Sequence, residues 1–245
     1  MARRDEIIAY ANELLDLASF KDFGPQGLQV AGAEEVTRVV CSVSASLELF
    51  QRAAAAGAQL VIVHHGLLWD NEPRMIDARV RRRLQALFEA DINLAGYHLA
   101  LDAHPEIGNN ALLARELGVE VDGPFLELGL GGSVSTKRDE FLARVRERIG
   151  REPLVFAEGP EHLRRVAIIS GGGQGYLPEA AAQGYDLYLT GEPAEPSLHL
   201  AKELGINFVA AGHYATEKLG VKALTERLAE RFELEWEFVE LPNPV

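Results

Sequence analysis

An internal repeat limits the folds that this 245-residue chain can adopt. Sliding the sequence by 127 residues aligns residues 38–65 with residues 165–192 without a gap, and seven of the 28 aligned positions are identical. Both segments have the same order of elements: an apolar strand, a helix that ends at a glycine, and a strand that ends in polar residues. The next strand also repeats, because residues 92–94 correspond to residues 206–208. We therefore predict an α/β protein with two similar subdomains that arose by duplication.

Hydrophobic periodicity and glycine positions predict the individual elements. The predicted helices span residues 6–17, 46–56, 75–90, 109–117, 140–149 and 217–231, and the predicted strands span residues 36–43, 60–63, 92–97, 154–157 and 166–169. Glycines at positions 123, 129, 131 and 132 make the middle of the chain less regular, so we place the seam there. The predicted first half is residues 1–122 and the second half is residues 123–245.

Composition excludes several classes of protein. The chain is 47% hydrophobic with mixed charges, as expected for a globular protein with a sizeable core, and no apolar run reaches the roughly 18 residues of a membrane span. The net charge of −13 argues against broad nucleic-acid binding, because contacts to phosphate dominate non-specific affinity. The basic cluster at residues 79–83 is interpreted as the solvated face of a helix. Cys41 is the single cysteine, which excludes a disulfide within the chain and fits a cytoplasmic protein.

Two adjacent histidines end the most apolar predicted strand. Residues 60–63 are apolar and largely β-branched, a pattern typical of a strand that is buried on both faces of a parallel sheet. His64 and His65 follow at the carboxyl edge, where open α/β sheets bind ligands. Adjacent strand residues point to opposite faces, but a frayed strand end or a pair of metal ions would allow both rings to be used. The alternative is one packed core histidine and one exposed histidine.

Three predicted strand ends carry groups that can bind metal. They are His64 with His65, His98 followed four residues later by Asp102, and His213 followed four residues later by Glu217. We expect the last two pairs to correspond in the repeat. The carboxyl ends of parallel strands share one edge, so these side chains can converge. Imidazole and carboxylate together suit zinc, manganese, iron or nickel. Five or six ligands are more than one tetrahedral zinc can bind. Carboxylates can bridge two ions that lie about 3.5–4 Å apart. The alternative is a set of buried histidines that neighbouring carboxylates satisfy.

Other candidate groups support two interpretations each. The glycine loop at residues 170–175 follows a predicted strand, so it either cradles a phosphate on its N–H groups or allows close packing near the metal site. Tyr97, Tyr214 and Trp69 either stack on a base or belong to the core. We interpret the remaining histidines as surface or packing residues: His104, His162 and His199.

Several motifs together resemble the NGG-interacting-factor-three-like family, whose members are also called GTP cyclohydrolase I type 2 homologues. The motifs are His64-His65-Gly66, Leu101-Asp102 and Gly212-His213-Tyr214-Ala215-Thr216-Glu217. Supporting matches are Gly27-Leu28-Gln29-Val30, Thr190-Gly191-Glu192 and Gly220-Val221-Lys222-Ala223-Leu224. The resemblance covers essentially the whole chain. Longer members insert a further domain between the halves, whereas the linking stretch here is short.

The resemblance implies two interlocked α/β subdomains with a metal cleft between them and a ring-like hexamer built from dimers. When the metal ligands of the family are transferred to the matching motifs, the resemblance implies that five residues bind two divalent metal ions per chain: His64, His65, Asp102, His213 and Glu217. We assign Glu217 as the bridging ligand, His65 and Asp102 to one ion, and His64 and His213 to the other. His98 is either a weak ligand or a group that orients one.

Two functions follow as hypotheses. The first is a metal-dependent hydrolase, for which the resemblance implies a purine nucleotide that water attacks at the guanine C8 carbon, with His98 transferring a proton. The second is a non-enzymatic hexameric scaffold or regulatory binding protein that uses the metals structurally. An open, acid-rich dinuclear site favours the enzyme.

Overall fold

The computed structural model describes residues 1–73 and 75–245, and these residues form strands and helices that are mixed along the chain. The strands are β1 (Ala2–Arg3), β2 (Gly27–Val30), β3 (Glu35–Val36), β4 (Arg38–Ser44), β5 (Leu60–His65), β6 (Asn93–Gly96), β7 (Glu120–Phe125), β8 (Gly129–Lys137), β9 (Leu154–Ala157), β10 (His162–Ile168), β11 (Leu187–Thr190), β12 (Asn207–Ala210) and β13 (Glu235–Phe238). The helices are α1 (Arg4–Leu14), α2 (Leu47–Ala55), α3 (Ala78–Glu89), α4 (Leu99–Asp102), α5 (Asn109–Leu117), α6 (Arg138–Ile149), α7 (Leu177–Ala182), α8 (Ser197–Leu204), α9 (His213–Thr216) and α10 (Lys218–Phe232). Within these residues, every helix is too short or too polar to cross a bilayer.

The chain forms two compact units, and their limits differ from the predicted halves. The first unit comprises Met1–Leu101 and Gly220–Leu241, and the second comprises Asp102–Leu219 and Pro242–Val245. The C-terminal part of the chain returns to the first unit because β13 pairs in parallel with β4. Asp102 therefore belongs to the second unit rather than the first.

The first unit is built on a five-stranded sheet of order β13-β4-β5-β6-β2. Its first four strands are parallel, and β2 runs antiparallel to β6. Residues Leu60–Val63 are fully buried, as predicted for a central parallel strand. Strand β5 continues through both histidines, so His64 and His65 are its last two residues.

The second unit is built on a six-stranded sheet of order β7-β8-β10-β11-β12-β9. Strands β10, β11 and β12 are parallel, whereas β8 and β9 run antiparallel to their neighbours β10 and β12. Two apolar clusters of this unit cover the sheet, one of them centred on α5 and α6. Both units are thus α/β layers around a parallel core, which confirms the predicted fold class of two similar α/β subdomains.

The hairpin β7–β8 was not predicted, because its glycines do not follow a strand pattern. The structure gives the reason for those glycines. A Cβ added to Gly131 would lie 1.8 Å from the hydroxyl of Tyr185, and one added to Gly132 would lie 2.5 Å from the carbonyl oxygen of Glu120. Glycine allows this close approach between neighbours, and so weakens the hydrophobic signal of the strand itself.

Helix α3 begins three residues later than the predicted start at Met75. The carboxylate of Asp77 accepts a hydrogen bond from the N–H of Val80 at 2.8 Å, so Asp77 caps the helix. Helix α2 also has an N-terminal cap, because the side chain of Ser46 accepts a hydrogen bond from the N–H of Leu49. The apolar residues Met75 and Ile76 extend the hydrophobic pattern to positions before α3, and the cap at Asp77 decides where that helix begins.

The repeat is visible in the register of the two sheets. Strand β4 pairs Val39 with Leu60, and β10 pairs Val166 with Leu187. Each partner is displaced by the same 127 residues that align the sequences. The two sheets therefore share strand order and register through their central parallel strands, as expected for a duplication.

A buried asparagine ties three segments together in the first unit. Asn93 begins β6 and is fully buried. Its amide nitrogen donates to the carbonyl oxygens of Ala33 at 2.8 Å and Gln59 at 2.9 Å, and its amide oxygen accepts from the N–H of Gly32 at 2.7 Å. A fully satisfied buried amide of this kind specifies how the connecting loops pack against the sheet.

Asn207 repeats this arrangement in the second unit. Its amide nitrogen donates to Pro160 and Asp186, at 2.9 Å each, and its amide oxygen accepts from the N–H of Gly159 at 3.1 Å. All three partners lie 127 residues beyond the partners of Asn93. The duplication therefore preserved a polar network as well as an order of elements.

The histidines after the third repeated strand are offset by one residue, which corrects the predicted correspondence. The N–H of Tyr97 bonds to the carbonyl oxygen of Val63, and the N–H of Ala211 makes the equivalent bond to Thr190. His98 therefore corresponds to Gly212, and His213 comes one position later. The resemblance between the two histidine–acid pairs is not a direct consequence of the repeat.

Candidate functional site

Three histidine rings lie together at the carboxyl edge of the first unit's sheet. His64 and His65 end β5, and His98 follows β6 by two residues. The ring centroids are 4.7 Å apart for His64 and His65, 5.0 Å for His64 and His98, and 5.5 Å for His65 and His98. One nitrogen from each ring lies within 4.8 Å of the other two, so the three can hold a metal ion. His64 is fully buried, and the other two are partly exposed.

The Nδ1 atom of each of the three rings lies within hydrogen-bonding distance of an oxygen atom. Nδ1 of His64 donates to the carbonyl oxygen of Tyr97 at 2.8 Å, Nδ1 of His65 lies 3.0 Å from the hydroxyl of Ser44, and Nδ1 of His98 lies 2.8 Å from the carboxylate of Asp22. A carbonyl oxygen only accepts, so Nδ1 of His64 carries the proton and Nε2 of the neutral ring is the atom that can bind a metal ion. Metal-binding histidines in proteins are oriented in this way.

Asp22 is a part of this cluster that sequence reasoning missed. Its side chain is 2% exposed, and its carboxylate also accepts hydrogen bonds from the N–H groups of Phe23 and Leu99. Burial acts to raise the pKa of Asp22, but the hydrogen bonds from His98 and from the two backbone N–H groups hold that pKa below its ordinary value. Asp22 is therefore ionised at neutral pH. It lies in an irregular segment between α1 and β2, where no periodic pattern marks it.

His213 is the corresponding centre of the second unit. Its Nδ1 lies 2.5 Å from Oε1 of Glu192, and its Nε2 lies 3.2 Å from Oε2 of Glu217. His213 begins the short helix α9 and Glu217 follows its last residue, so the two side chains lie one turn apart. Burial acts to lower the pKa of His213, but the hydrogen bonds and charges of Glu217 and Glu192 raise it to about 9. Glu192 orients the imidazole ring of His213. The side chain of Glu217 is buried, with 3% of its surface exposed.

Asp102 lies at the end of α4 and is also buried, at 6% exposure. Its Oδ1 accepts hydrogen bonds from the amide nitrogen of Asn109 at 2.8 Å and from the hydroxyl of Ser170 at 3.2 Å. Asn110 supports the same region, because its amide oxygen accepts from the N–H of Ser170. Polar partners thus orient this carboxylate as they orient the histidines, and the local sequence around each partner carried no signal of that role.

The glycine loop at residues 170–175 packs against these acidic groups. Gly171 has φ of +64°, and a Cβ there would lie 2.1 Å from Oε1 of Glu217 and 3.2 Å from Nε2 of His213. The N–H groups of Gly171 and Gly173 are already bonded within the unit, the former to the hydroxyl of Thr216. Of the two interpretations, close packing is the one that the geometry supports.

The remaining candidates divide between core and surface. Tyr97 is fully buried, and its hydroxyl bonds to Asn12, so it is a core residue. Trp69 lies beside the histidine cluster, with its ring centroid 5.1 Å from that of His98. Nδ1 of His104 accepts from the N–H groups of Glu106 and Ile107 and stabilises a turn. The last two histidines lie outside the described clusters, in β10 and α8: His162 and His199.

Comparisons with known proteins cover the whole chain. A family model described as Duf34/NIF3 (NGG1p interacting factor 3) matches residues 2–244. A GTP cyclohydrolase 1 type 2 homolog of Yersinia pestis is 44% identical over 245 residues, covering 99% of both chains. A protein of the same description from Pseudomonas aeruginosa is 46% identical over 246 residues, covering 97% of both chains. A solved structure described as the protein ybgI, of unknown function, superimposes with a TM-score of 0.96 at 43% identity and full coverage of both chains.

Proposed function

Because this chain belongs to the Duf34/NIF3 family over residues 2–244, we propose that it is a dinuclear metal-binding protein that acts as a metal-dependent hydrolase. The proposed substrate is a purine nucleotide or a related phosphate-containing compound. The observation that carries the proposal is the cluster of His64, His65 and His98, with an oxygen atom on the Nδ1 of each ring. That arrangement suits metal ligation by His64 and His65 and proton transfer by His98 better than core packing, since the contact at Nδ1 assigns these tasks to Nε2.

We assign five ligands to two divalent ions per chain. The five are His64, His65, Asp102, His213 and Glu217. We assign Glu217 as the bridging ligand, with His65 and Asp102 on one ion and His64 and His213 on the other. The donor set of imidazoles and carboxylates fits zinc, manganese, iron or nickel. The hydrogen-bonded partners of His64, Asp102 and His213 support the assignment.

The bound ions would supply a water of lowered pKa and a positive charge close to a developing oxyanion. The chain itself contributes proton transfer through His98. Because Asp22 is ionised and accepts from Nδ1 of His98, Nε2 of the neutral ring is the atom that takes up a proton, and the imidazolium then releases that proton from the same atom. Asp22 thus positions His98 and stabilises the imidazolium that forms, as a buried carboxylate does in other acid–base pairs. For a guanine nucleotide, the proton would come from the water that adds at C8.

A second candidate function is a non-enzymatic hexameric scaffold or regulatory binding protein. The family description as an interacting factor favours it, and the curated relatives from Yersinia pestis and Pseudomonas aeruginosa are described as homologs of a cyclohydrolase rather than as cyclohydrolases. In either case we propose a cytoplasmic homo-hexamer. In the scaffold, the metal ions would stabilise the fold, whereas in the enzyme their loss would leave the fold in place.

A turnover screen on metal-loaded protein tests the enzymatic proposal. Nucleoside triphosphates and simple phosphoesters would be incubated with the wild-type chain and with Glu217→Gln. The matched control is Glu230→Gln, the same chemical change at an exposed position on α10. We expect hydrolysis by the wild type and by the control, and loss of at least a hundredfold in the Glu217 variant. Metal-loaded protein that hydrolyses none of these compounds would favour the scaffold.

A further inference from the structure

An apolar cavity adjoins the histidine cluster in the first unit. It has a volume of about 420 Å³, and its lining includes Leu68, Trp69, Met75, Ile76, Val80 and Leu84. Three of these side chains are largely exposed: Leu68 at 43%, Met75 at 73% and Ile76 at 71%. Pockets of a few hundred Å³ that are mostly apolar, with a few polar groups, are typical small-molecule sites.

Trp69 connects this cavity to the histidines. Its Nε1–H donates to the carbonyl oxygen of Gly66 at 3.1 Å, which fixes the ring. The ring centroid lies 5.1 Å from His98 and 6.2 Å from His65. Leu68 and Trp69 also line the small cavity that contains His64 and His98. A group held against Trp69 would therefore lie next to the candidate metal ligands.

The polar groups of the cavity are acceptors of hydrogen bonds. Asp70 and Glu72 line it, and Nη2 of Arg79 lies 3.3 Å from Oε1 of Glu72, which partly neutralises that carboxylate. Asp70 is exposed. Carboxylates repel phosphate but accept from ring N–H and amino groups, so this chemistry suits a neutral ring with N–H donors.

We propose that the Trp69 pocket binds the planar heteroaromatic ring of the substrate, and that this ring is a purine with N–H donors on its edge, as in guanine. The pocket is large enough for a bicyclic base, and Trp69 with Leu68 and Ile76 provides an apolar surface on which it can stack. The phosphates then extend away from Asp70 and Glu72. The inference deepens the proposed function and rests on it for the reaction, but binding of the ring itself requires no metal.

Tryptophan fluorescence tests the proposal directly. The chain has two tryptophans, so Trp236→Phe leaves Trp69 as the single reporter. In that background, guanosine should quench the emission saturably, and ribose 5-phosphate should not. Inosine lacks the amino group of guanosine and should bind about 2–10-fold more weakly, as expected for one lost hydrogen bond. The titration would be run on metal-loaded and on chelator-treated protein.

Two matched variants locate the binding site. Ile76→Asp places a charge in the pocket and should weaken guanosine binding at least tenfold. Phe88→Asp makes the same kind of change at a residue of α3 that is 62% exposed and should leave binding unchanged. Neither side chain is buried, so both variants should fold.

Three results would overturn the proposal. One is the absence of quenching by guanosine at millimolar concentration, and another is equal quenching by ribose 5-phosphate. The third is an Ile76→Asp variant that binds guanosine as the wild type does but has a changed oligomeric mass by light scattering. That result would show that this face contacts a second copy of the chain. Each is distinct from failure of the metal proposal, which elemental analysis of the same protein reports separately.

Discussion

The carboxylate of Asp22 lies 2.8 Å from Nδ1 of His98, and the pair joins the segment before β2 to the end of β6. Both side chains are mostly buried, at 2% and 17% exposure. A buried carboxylate that is hydrogen-bonded to one nitrogen of an imidazole fixes the tautomer, so the other nitrogen is the one that can transfer a proton or bind a metal. Asp22 therefore belongs to the site, although it is distant in sequence from every metal-ligand motif.

Replacing Asp22 by Asn should separate proton transfer from metal binding. The amide keeps the shape but no longer stabilises an imidazolium at His98, so turnover of the substrate found in the screen should fall about 10²–10⁴-fold. Metal content should stay at the wild-type value. Glu13→Gln, an exposed neutralisation on α1, is the control. Loss of metal without a change in kcat per bound metal would instead identify His98 as a ligand.

Two glycines of one loop give a matched test of the packing around Glu217. Gly171→Ala places a methyl group 2.1 Å from Oε1 of Glu217 at a φ of +64°. We expect loss of metal affinity and a decrease of about 1–2 kcal/mol in the free energy of unfolding, the usual cost of a left-handed residue with a Cβ. Denaturant unfolding and metal titration measure both.

Gly175→Ala is the control in the same loop, because a Cβ there meets nothing within 4 Å. It should bind metal and unfold as the wild type does. If Gly171→Ala also behaves as the wild type, the carboxylate of Glu217 has room to move and the packing account of the loop is wrong.

The two repeated asparagines should contribute equally to stability. Asn93→Ala and Asn207→Ala each leave buried backbone groups without the amide that satisfies them. We expect each variant to lower the free energy of unfolding by about 1–3 kcal/mol, the cost of an unsatisfied buried polar group. The exposed Asn71→Ala should be neutral. A neutral result at either buried position would show that the network does not stabilise its unit.

The pKa of His213 predicts a pH dependence in the metal-free protein. Its folded value of about 9 is raised above the ordinary 6.5, so protonated His213 stabilises the fold fully below pH 6.5. That contribution is lost as the pH rises from 6.5 through 9. Chelated protein should therefore become less stable over this window in thermal unfolding. Glu192→Gln should weaken the dependence, since it removes one of the charges that raise the pKa. A stability that is constant over the window in chelated protein would contradict this account.

In metal-loaded protein, stability should instead increase with pH over this window, because the metal competes with the proton for Nε2 of His213 and a ligating Nε2 carries no proton. Binding at pH 7.5 should release a proton, which calorimetry in buffers of different ionisation enthalpy measures. Metal binding without proton release would indicate that His213 is not a ligand.

Sequence patterns predicted those features that depend on local periodicity or on repetition. Buried strands such as Leu60–Val63 and the duplicated order of elements follow from hydrophobic spacing, and the grouping of His64, His65 and His98 follows from the shared edge of parallel strands. Asp22 escaped prediction because only the folded chain brings it to His98, which lies 76 residues away in the sequence. The division into units escaped it because β13 pairs with β4, a contact between distant parts of the chain.

The metal content of the purified protein tests the dinuclear centre most directly. Protein prepared without chelator, or reconstituted with zinc or manganese, should contain about two ions per chain by elemental analysis, because five ligands exceed the needs of one tetrahedral ion. His65→Ala and Glu217→Ala should lose metal while circular dichroism shows a folded protein, since both side chains lie at element ends rather than in the apolar core. A wild-type protein that holds no transition metal even after reconstitution would contradict the account.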